Sequence, residues 1–292
     1  MAIRRIGQRT FDFDRQVAVM AVVNRTPDSF YDKGATFALD RAVDASLNAV
    51  GAGADWVDVG GVPFGRGPAV TVQEEIDRVI PVIEAIVAAS DVVVSVDTCV
   101  AEVARHAIAA GAGVINDTSG LWDPQMVDVI AQGDATLVLT HSIGPPRTEK
   151  QHPQYGDVVA EVADFLRDRV NRAVAGGVLL DRLIIDPGHD LNKNTLHTLE
   201  ITRRFDEIAS IGLPTLAAVS NKDFIGESLD REQGQRLEGS LAAMVVCIMK
   251  GARIVRMHDI AESVAAVRMI EAILGMREPV YLRHNMQDRA PV

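Results

Sequence analysis

Asp97 and Asp186 each stand just after a run of β-branched and aliphatic residues. The same placement recurs for Asn24, Gly60-Gly61, Asn116, His141, Ser220-Asn221-Lys222 and Arg256-Met257-His258-Asp259. If the runs are strands of one sheet, Asp97, Asn116, Asp186, Lys222 and Arg256 face a common cavity. Two carboxylates, an amide and two cations suit a flat nitrogen heterocycle whose edge alternates donors and acceptors, because every buried polar atom needs a mate. Asn24 and His258 lie near the same rim and suit phosphate oxygens or a hard metal ion. Taken singly, either carboxylate reads equally well as a helix cap or loop anchor. His258 also reads as a loop histidine paired with Asp259, so it is the joint placement that argues for a site.

The apolar runs that would position these groups are 17–23, 55–59, 92–96, 114–115, 136–139, 183–185, 215–219 and 253–255. Strands that are apolar on both faces need cover on both sides, as in a parallel sheet wrapped by helices. Helical patterns follow at 39–50, 72–89, 101–110, 124–132, 158–175, 196–210, 238–250 and 261–274. Gly111, Gly176-Gly177, Gly212 and Gly251 sit where such helices end. Eight units in about 250 residues predict an α/β fold, a single (β/α)8 TIM barrel, with its active site where strands hand over to loops. Residues 1–16, with Thr10, Phe11 and Phe13 alternating against polar neighbours, read as a leading hairpin that plugs the lower end. No linker breaks the chain, so the expectation is one domain over 1–292, with 277–292 as a C-terminal tail. Loops 24–37 and 60–71 are long, rich in Gly, Pro and Asp, and directly follow strands, the usual seat of function.

Lys and Arg total 29 against 40 Asp and Glu, and the net charge of -11 argues against nucleic acid or an anionic membrane as a general partner. No apolar stretch reaches the ~18 residues that span a bilayer, and the start lacks a signal peptide's apolar segment, so a cytoplasmic location is expected. Cys99 and Cys247 are too few and too far apart for a disulfide framework or a thiolate metal site. The late helices carry apolar residues on more than one side, including Met244, Cys247, Met249 and Met269. That pattern fits burial between subunits as well as simple core packing.

Asn24-Arg25-Thr26-Pro27-Asp28-Ser29-Phe30, Gly60-Gly61, Val96-Asp97-Thr98, Ile115-Asn116-Asp117, Asp186-Pro187-Gly188, Ser220-Asn221-Lys222 and Arg256-Met257-His258-Asp259 fall in the order and spacing of dihydropteroate synthases, the sulfonamide targets. The resemblance covers nearly the whole chain, and its motifs are specific in combination. It implies a (β/α)8 barrel that joins 6-hydroxymethyl-7,8-dihydropterin pyrophosphate to p-aminobenzoate, with Mg2+ helping pyrophosphate to leave. Carried over by position, Asp97, Asn116, Asp186 and Lys222 resemble the pterin-binding set, with Arg256 stacked over the ring. Asn24 resembles the Mg2+ ligand and His258 a pyrophosphate contact, while Ser220 matches part of the edge that receives p-aminobenzoate or a sulfa analogue. Asp32 matches the aspartate of the first lid, and with Asp186 and Lys222 it completes the set implied to act in the chemistry. Family members commonly pair through the late helices, which implies a homodimer.

The departures fall where the chemistry is concentrated. After Gly60-Gly61 the family usually reads Glu-Ser-Thr-Arg-Pro-Gly, whereas this chain has Val62-Pro63-Phe64-Gly65-Arg66-Gly67. Phe64 and Gly65 thus replace the threonine and arginine that would hold pyrophosphate, and Arg66 sits one residue along as a candidate substitute. Arg25 replaces a valine, Lys33 a glycine, Asn221 an arginine and Leu191 an aromatic residue. Charged contacts to a leaving group supply several kcal/mol of transition-state stabilisation, and each ~1.4 kcal/mol is tenfold in rate. The chain therefore resembles the divergent second copies that mycobacteria carry beside a working synthase. The leading expectation is a homologue with a retained pterin pocket and little or no synthase activity. Two alternatives stay open: a working synthase in which Arg66 and Arg25 rebuild the pyrophosphate site, and a non-catalytic partner of another folate-pathway protein. Methyl transfer from a reduced folate ranks last.

Overall fold

Eight parallel strands pair in chain order and close on themselves. They are β3 (Ala18–Asn24), β4 (Trp56–Gly60), β5 (Val93–Asp97), β6 (Val114–Asp117), β7 (Thr136–Thr140), β8 (Leu183–Asp186), β9 (Thr215–Ala217) and β10 (Ala252–Met257), with β10 returning to β3. This computed structural model describes residues 3–24, 34–62, 69–144, 146, 148 and 152–285. Ahead of the barrel, β1 (Arg4–Ile6) and β2 (Arg9–Phe11) form an antiparallel hairpin. The helices are α1 (Gly34–Gly51), α2 (Val72–Ala89), α3 (Ala101–Ala109), α4 (Met126–Gln132), α5 (Val158–Ala175), α6 (Thr195–Arg203), α7 (Phe205–Ala209), α8 (Asp223–Leu229), α9 (Leu237–Met249) and α10 (Ile260–Ile273). The expected (β/α)8 TIM barrel with its leading hairpin is the architecture found.

Side chains alternate across a strand, so every second residue points into the barrel. Ala18, Met20, Trp56, Val93, Val114, Val138, Ile184, Leu216 and Ile254 draw on all eight strands to make one buried apolar cluster, joined by Ile6, Phe11 and Phe13 from the hairpin. Phe11 meets Trp56 edge-on at 5.6 Å between ring centroids. The hairpin therefore closes the amino end of the barrel, as its pattern predicted. The other face of each strand packs against helices in two larger apolar clusters. Helix starts follow local chemistry: Thr71 caps α2 in a reciprocal box with Glu74, and the Asp157 carboxylate accepts two N–H groups at the start of α5.

Two expectations need correction. The helix expected over 196–210 is broken at Arg204 (φ −112°, ψ 28°) into α6 and α7. Arg204 is held there by Asp157, Glu200 and Glu207, an ion network that no apolar period reports. The strand expected over 215–219 ends at Ala217, and α8 follows where no helical pattern is read. Met244 and Cys247 are fully buried in the core beside the barrel, whereas Met249 and Met269 are exposed. Of those four residues, only the last two remain free for a partner.

Candidate functional site

On six of the eight strands, two residues further along from the apolar cluster, the inward positions change character. They become Asp58, Ser95, Asn116, Thr140, Asp186 and Arg256. Register places the rim residues together, because Asn24 is level with Gly60, Gly60 with Asp97, and Asp97 with Asn116. Thr140 and Asp186 are likewise level on β7 and β8. The polar stops do converge on one mouth.

At the centre of this layer is Asp58, which lies inside its apolar run and was missed by a reading that looked only at where runs end. It is fully buried and accepts three hydrogen bonds: Ser95 Oγ at 2.6 Å, Asn116 Nδ2 at 3.1 Å and Arg256 Nε at 2.7 Å. Arg256 reaches onward to Asp97, Nη2 to Oδ2 at 3.5 Å. The guanidinium thus lies fixed between two carboxylates, and their charge outweighs burial to hold it firmly protonated. Asp97, with Thr118 donating to it at 3.2 Å, is raised to about 7, first by loss of solvent and then by the charge on Asp58.

Asp186 closes the opposite side. Its carboxylate accepts the Gly188 N–H at 2.7 Å. Burial raises it to about 6 against the pull of that N–H and of Lys222. Gly188 has φ +67°, and a Cβ there would sit 2.2 Å from the His141 carbonyl oxygen, so the sequence Asp-Pro-Gly is needed for the turn. Lys193 ties the same loop down. Its buried ammonium donates to Gly188 O and Leu191 O, each at 2.9 Å, and meets His141 Nδ1 at 2.8 Å. Burial lowers Lys193 to about 7 and His141 to about 2, so His141 is a neutral acceptor for the lysine.

Lys222 precedes α8, and its ammonium is lowered by burial against the raising charges of Asp190 and Asp186. Asp190 Oδ2 accepts the Asp223 N–H at 2.7 Å and so anchors the start of that helix. Neither Asp190 nor Lys193 was singled out beforehand. His258 does not pair with Asp259 through its ring: Nδ1 meets Ser220 Oγ at 3.0 Å, and the His258 N–H donates to the same hydroxyl at 3.2 Å. Asn221, in left-handed backbone at φ 60°, turns its side-chain oxygen to the Gly234 N–H, 3.1 Å away.

The structure thus brings Asp97, Asn116, Asp186, Lys222 and Arg256 together at the carboxyl end of the barrel, with Ser220 and His258 in contact beside them. Asp32, Arg66, Arg25, Lys33, Phe64 and Gly65 lie outside the described residues, as does the side chain of Asn24. Among the described residues, no group of three or more His, Cys, Asp or Glu is placed to hold a metal. Two oxygens of the inner layer, Asn116 Oδ1 and Thr140 Oγ1, are buried with no hydrogen-bond partner among the described residues. An orphaned buried acceptor costs about 1–3 kcal/mol.

A family profile of pterin binding enzymes matches residues 20–258. The chain is 46% identical over 272 residues, 91% of its length and 93% of the relative's, to inactive dihydropteroate synthase 2 of Mycobacterium leprae. It is 40% identical over 261 residues, 89% of its length and 93% of the relative's, to the dihydropteroate synthase of Escherichia coli. The barrel superposes with a TM-score of 0.86 and 40% identity on the Xanthomonas albilineans synthase with 4-aminobenzoic acid, covering 93% of this chain and 98% of that one.

Proposed function

We propose, from the premise that this chain belongs to the dihydropteroate synthase family of pterin-binding enzymes, that its barrel holds a pterin ring but turns it over slowly or not at all. The observation that carries this reading is the orphaned Asn116 Oδ1. Its amide nitrogen is committed to Asp58, so the oxygen is left for an N–H that no group among the described residues supplies. A pterin edge offers such donors to Asn116, Asp97 and Asp186, and acceptors to Lys222. Arg256, clamped by Asp58 and Asp97, presents its plane to the ring face. If the chemistry runs, the carboxylates also offset the charge that develops on the pterin methylene as diphosphate leaves.

The leaving-group side argues for weak turnover. Phe64 and Gly65 stand where the family has threonine and arginine, and Asn221 stands where it has a further arginine. The remaining cationic candidates there are Arg66 and Arg25. Mg2+, implied by the family, would be held by Asn24 and the diphosphate oxygens, since hard cations take few protein ligands beside phosphate. It would supply charge neutralisation. His258 and Ser220, already paired, would meet the diphosphate and the second substrate respectively.

Val246, Met249, Met269 and Ile273 are exposed apolar side chains of α9 and α10, which supports a homodimer through that face. Sedimentation at micromolar concentration should show the dimer. No described helix is long and apolar enough to cross a membrane, and a cytoplasmic location fits a folate-type substrate.

Calorimetry with 6-hydroxymethyl-7,8-dihydropterin pyrophosphate, with and without Mg2+, tests the reading alongside turnover in the presence of p-aminobenzoate. Ring binding with turnover at least a hundredfold below a working synthase is expected. Robust turnover that disappears in Asp186→Ala makes the protein a working synthase instead, and absence of any pterin heat removes the ring-binding claim.

A further inference from the structure

A cavity of about 350 Å3 lies among the loop after β6, the loop after β7 and helix α5. Its lining includes Ser119, Trp122, Ser142, Phe165, Arg169 and Arg172. Successive side chains of a strand point to opposite faces. Asn116 faces the barrel interior, whereas the neighbouring Asp117 carboxylate turns outward and accepts the Ser119 N–H at 2.8 Å, the Leu121 N–H at 2.9 Å and the Ser119 hydroxyl. Those bonds hold Gly120 and Leu121 in left-handed backbone, φ 68° and 65°. A bulky leucine rarely adopts that conformation. A Cβ on Gly120 would lie 2.6 Å from the Phe165 ring, so glycine is required there.

This turn aims two carbonyls at α5. Arg169 Nε donates to Gly120 O at 2.7 Å, and Arg172 Nη1 donates to Leu121 O at 3.1 Å. Arg169 is further fixed over the Phe165 ring, 4.3 Å from its centroid. The two arginines stand one helical turn apart, on the same face of α5. A guanidinium has five donors, and among the described residues Arg172 spends one, while Arg169 spends a second only on the exposed Asp168. The Trp122 indole, 54% exposed, is the flat surface at the rim.

We propose that this cavity is a binding site for a small aromatic carboxylate, with its carboxylate on Arg169 and Arg172 and its ring against Trp122. A forked pair of N–H donors matches a carboxylate in geometry and charge. The cavity is of the size that accepts one ring with a short substituent. The site stands apart from the pterin reading, because neither its residues nor its ligand enters the barrel.

Tryptophan emission tests it directly, because the chain has two tryptophans and the other, Trp56, is fully buried at the barrel floor. Benzoate should shift the emission saturably, with a Kd of about 1 mM. The shift should be absent with benzyl alcohol, a neutral molecule of similar shape, and absent in Trp122→Phe. Arg172→Gln should weaken binding at least tenfold and Arg172→Lys by less, since lysine keeps the charge and loses the fork. Arg172 braces only one carbonyl at the surface, so both variants are expected to fold, and circular dichroism verifies that. Saturating the barrel with pterin pyrophosphate should leave the benzoate curve unchanged, so the outcome is independent of ring binding. A non-saturating titration, an equal response to benzyl alcohol, or unchanged affinity in Arg172→Gln overturns the proposal.

Discussion

The barrel interior has two layers, two residues apart on the six strands they share, and they meet opposite demands. The lower one, from Met20 and Trp56 round to Ile254, is apolar and capped by Phe11 and Phe13. Its single polar loose end is the unpartnered indole N–H of Trp56. Burial of such side chains stabilises by about 1.5–3 kcal/mol each. The upper layer gathers Asp58, Asn116, Asp186 and Arg256 and leaves two oxygens without partners among the described residues. Buried ions cost several kcal/mol to desolvate even when paired, and apolar replacements of the same volume often stabilise. A chain shaped for stability alone would repeat the lower layer. That contrast is what the proposed ring ligand would account for.

Removing side chains from each layer should separate stability from recognition. Trp56→Ala should lose about 3–5 kcal/mol in urea unfolding, the cost of a large core truncation, while the folded fraction keeps its ring affinity. A loss below about 1 kcal/mol would erase the contrast. Asp58→Asn should cost about 2–3 kcal/mol, because three donors converge on that carboxylate and one of them is charged. It should also weaken ring binding, since Arg256 loses its anchor; calorimetry reads that arm. Asn116→Leu should change stability by about 1 kcal/mol or less, because it deletes an orphan along with one hydrogen bond to Asp58. Ring affinity should nevertheless fall at least tenfold, and a stability loss as large as that of Trp56→Ala would place Asn116 in the structural class.

The difference between the layers also explains what could be read from residues alone. Apolar runs closed by polar residues report the strands and their carboxyl ends, so Asp97, Asn116, Asp186 and Arg256 were legible. Asp58 was not, because a charge inside an apolar run reads as a blemish until strand alternation shows that it shares the inner face with Ser95 and Asn116. Lys193 and Asp190 act through loop carbonyls and a helix start, contacts that depend on how the turn after Gly188 folds. The break between α6 and α7 rests on ion pairs of Arg204 with residues as distant as Asp157, which no local period encodes. Helix α8 starts on the carboxylate of Asp190, 33 residues before its first N–H partner in sequence.

The smallest effect separates the layers by sign. Asp97 is raised to about 7 and Asp186 to about 6, in both cases chiefly by burial. The folded chain therefore keeps protons there that the unfolded chain has already released, beginning near pH 4. Unfolding free energy falls where the folded state binds more protons, so these two groups lower stability as pH rises from about 4 to about 7. Asp97→Asn should remove the Asp97 share, leaving a shallower decline than the wild type shows. Ring affinity should move the other way, because only the ionised carboxylates accept two ring N–H donors without giving up an acceptor. Below about pH 6 the affinity should rise by up to about a hundredfold per unit, the slope of two required ionisations, then by up to about tenfold between about 6 and 7, and flatten above about 7. The lower layer has no titrating group, so Trp56→Ala should shift the whole stability curve without altering either slope. Calorimetric affinities that stay flat from about pH 5 to 8 would mean that the ring meets neutral acids, and the upper layer would then have to be explained without an ionised edge.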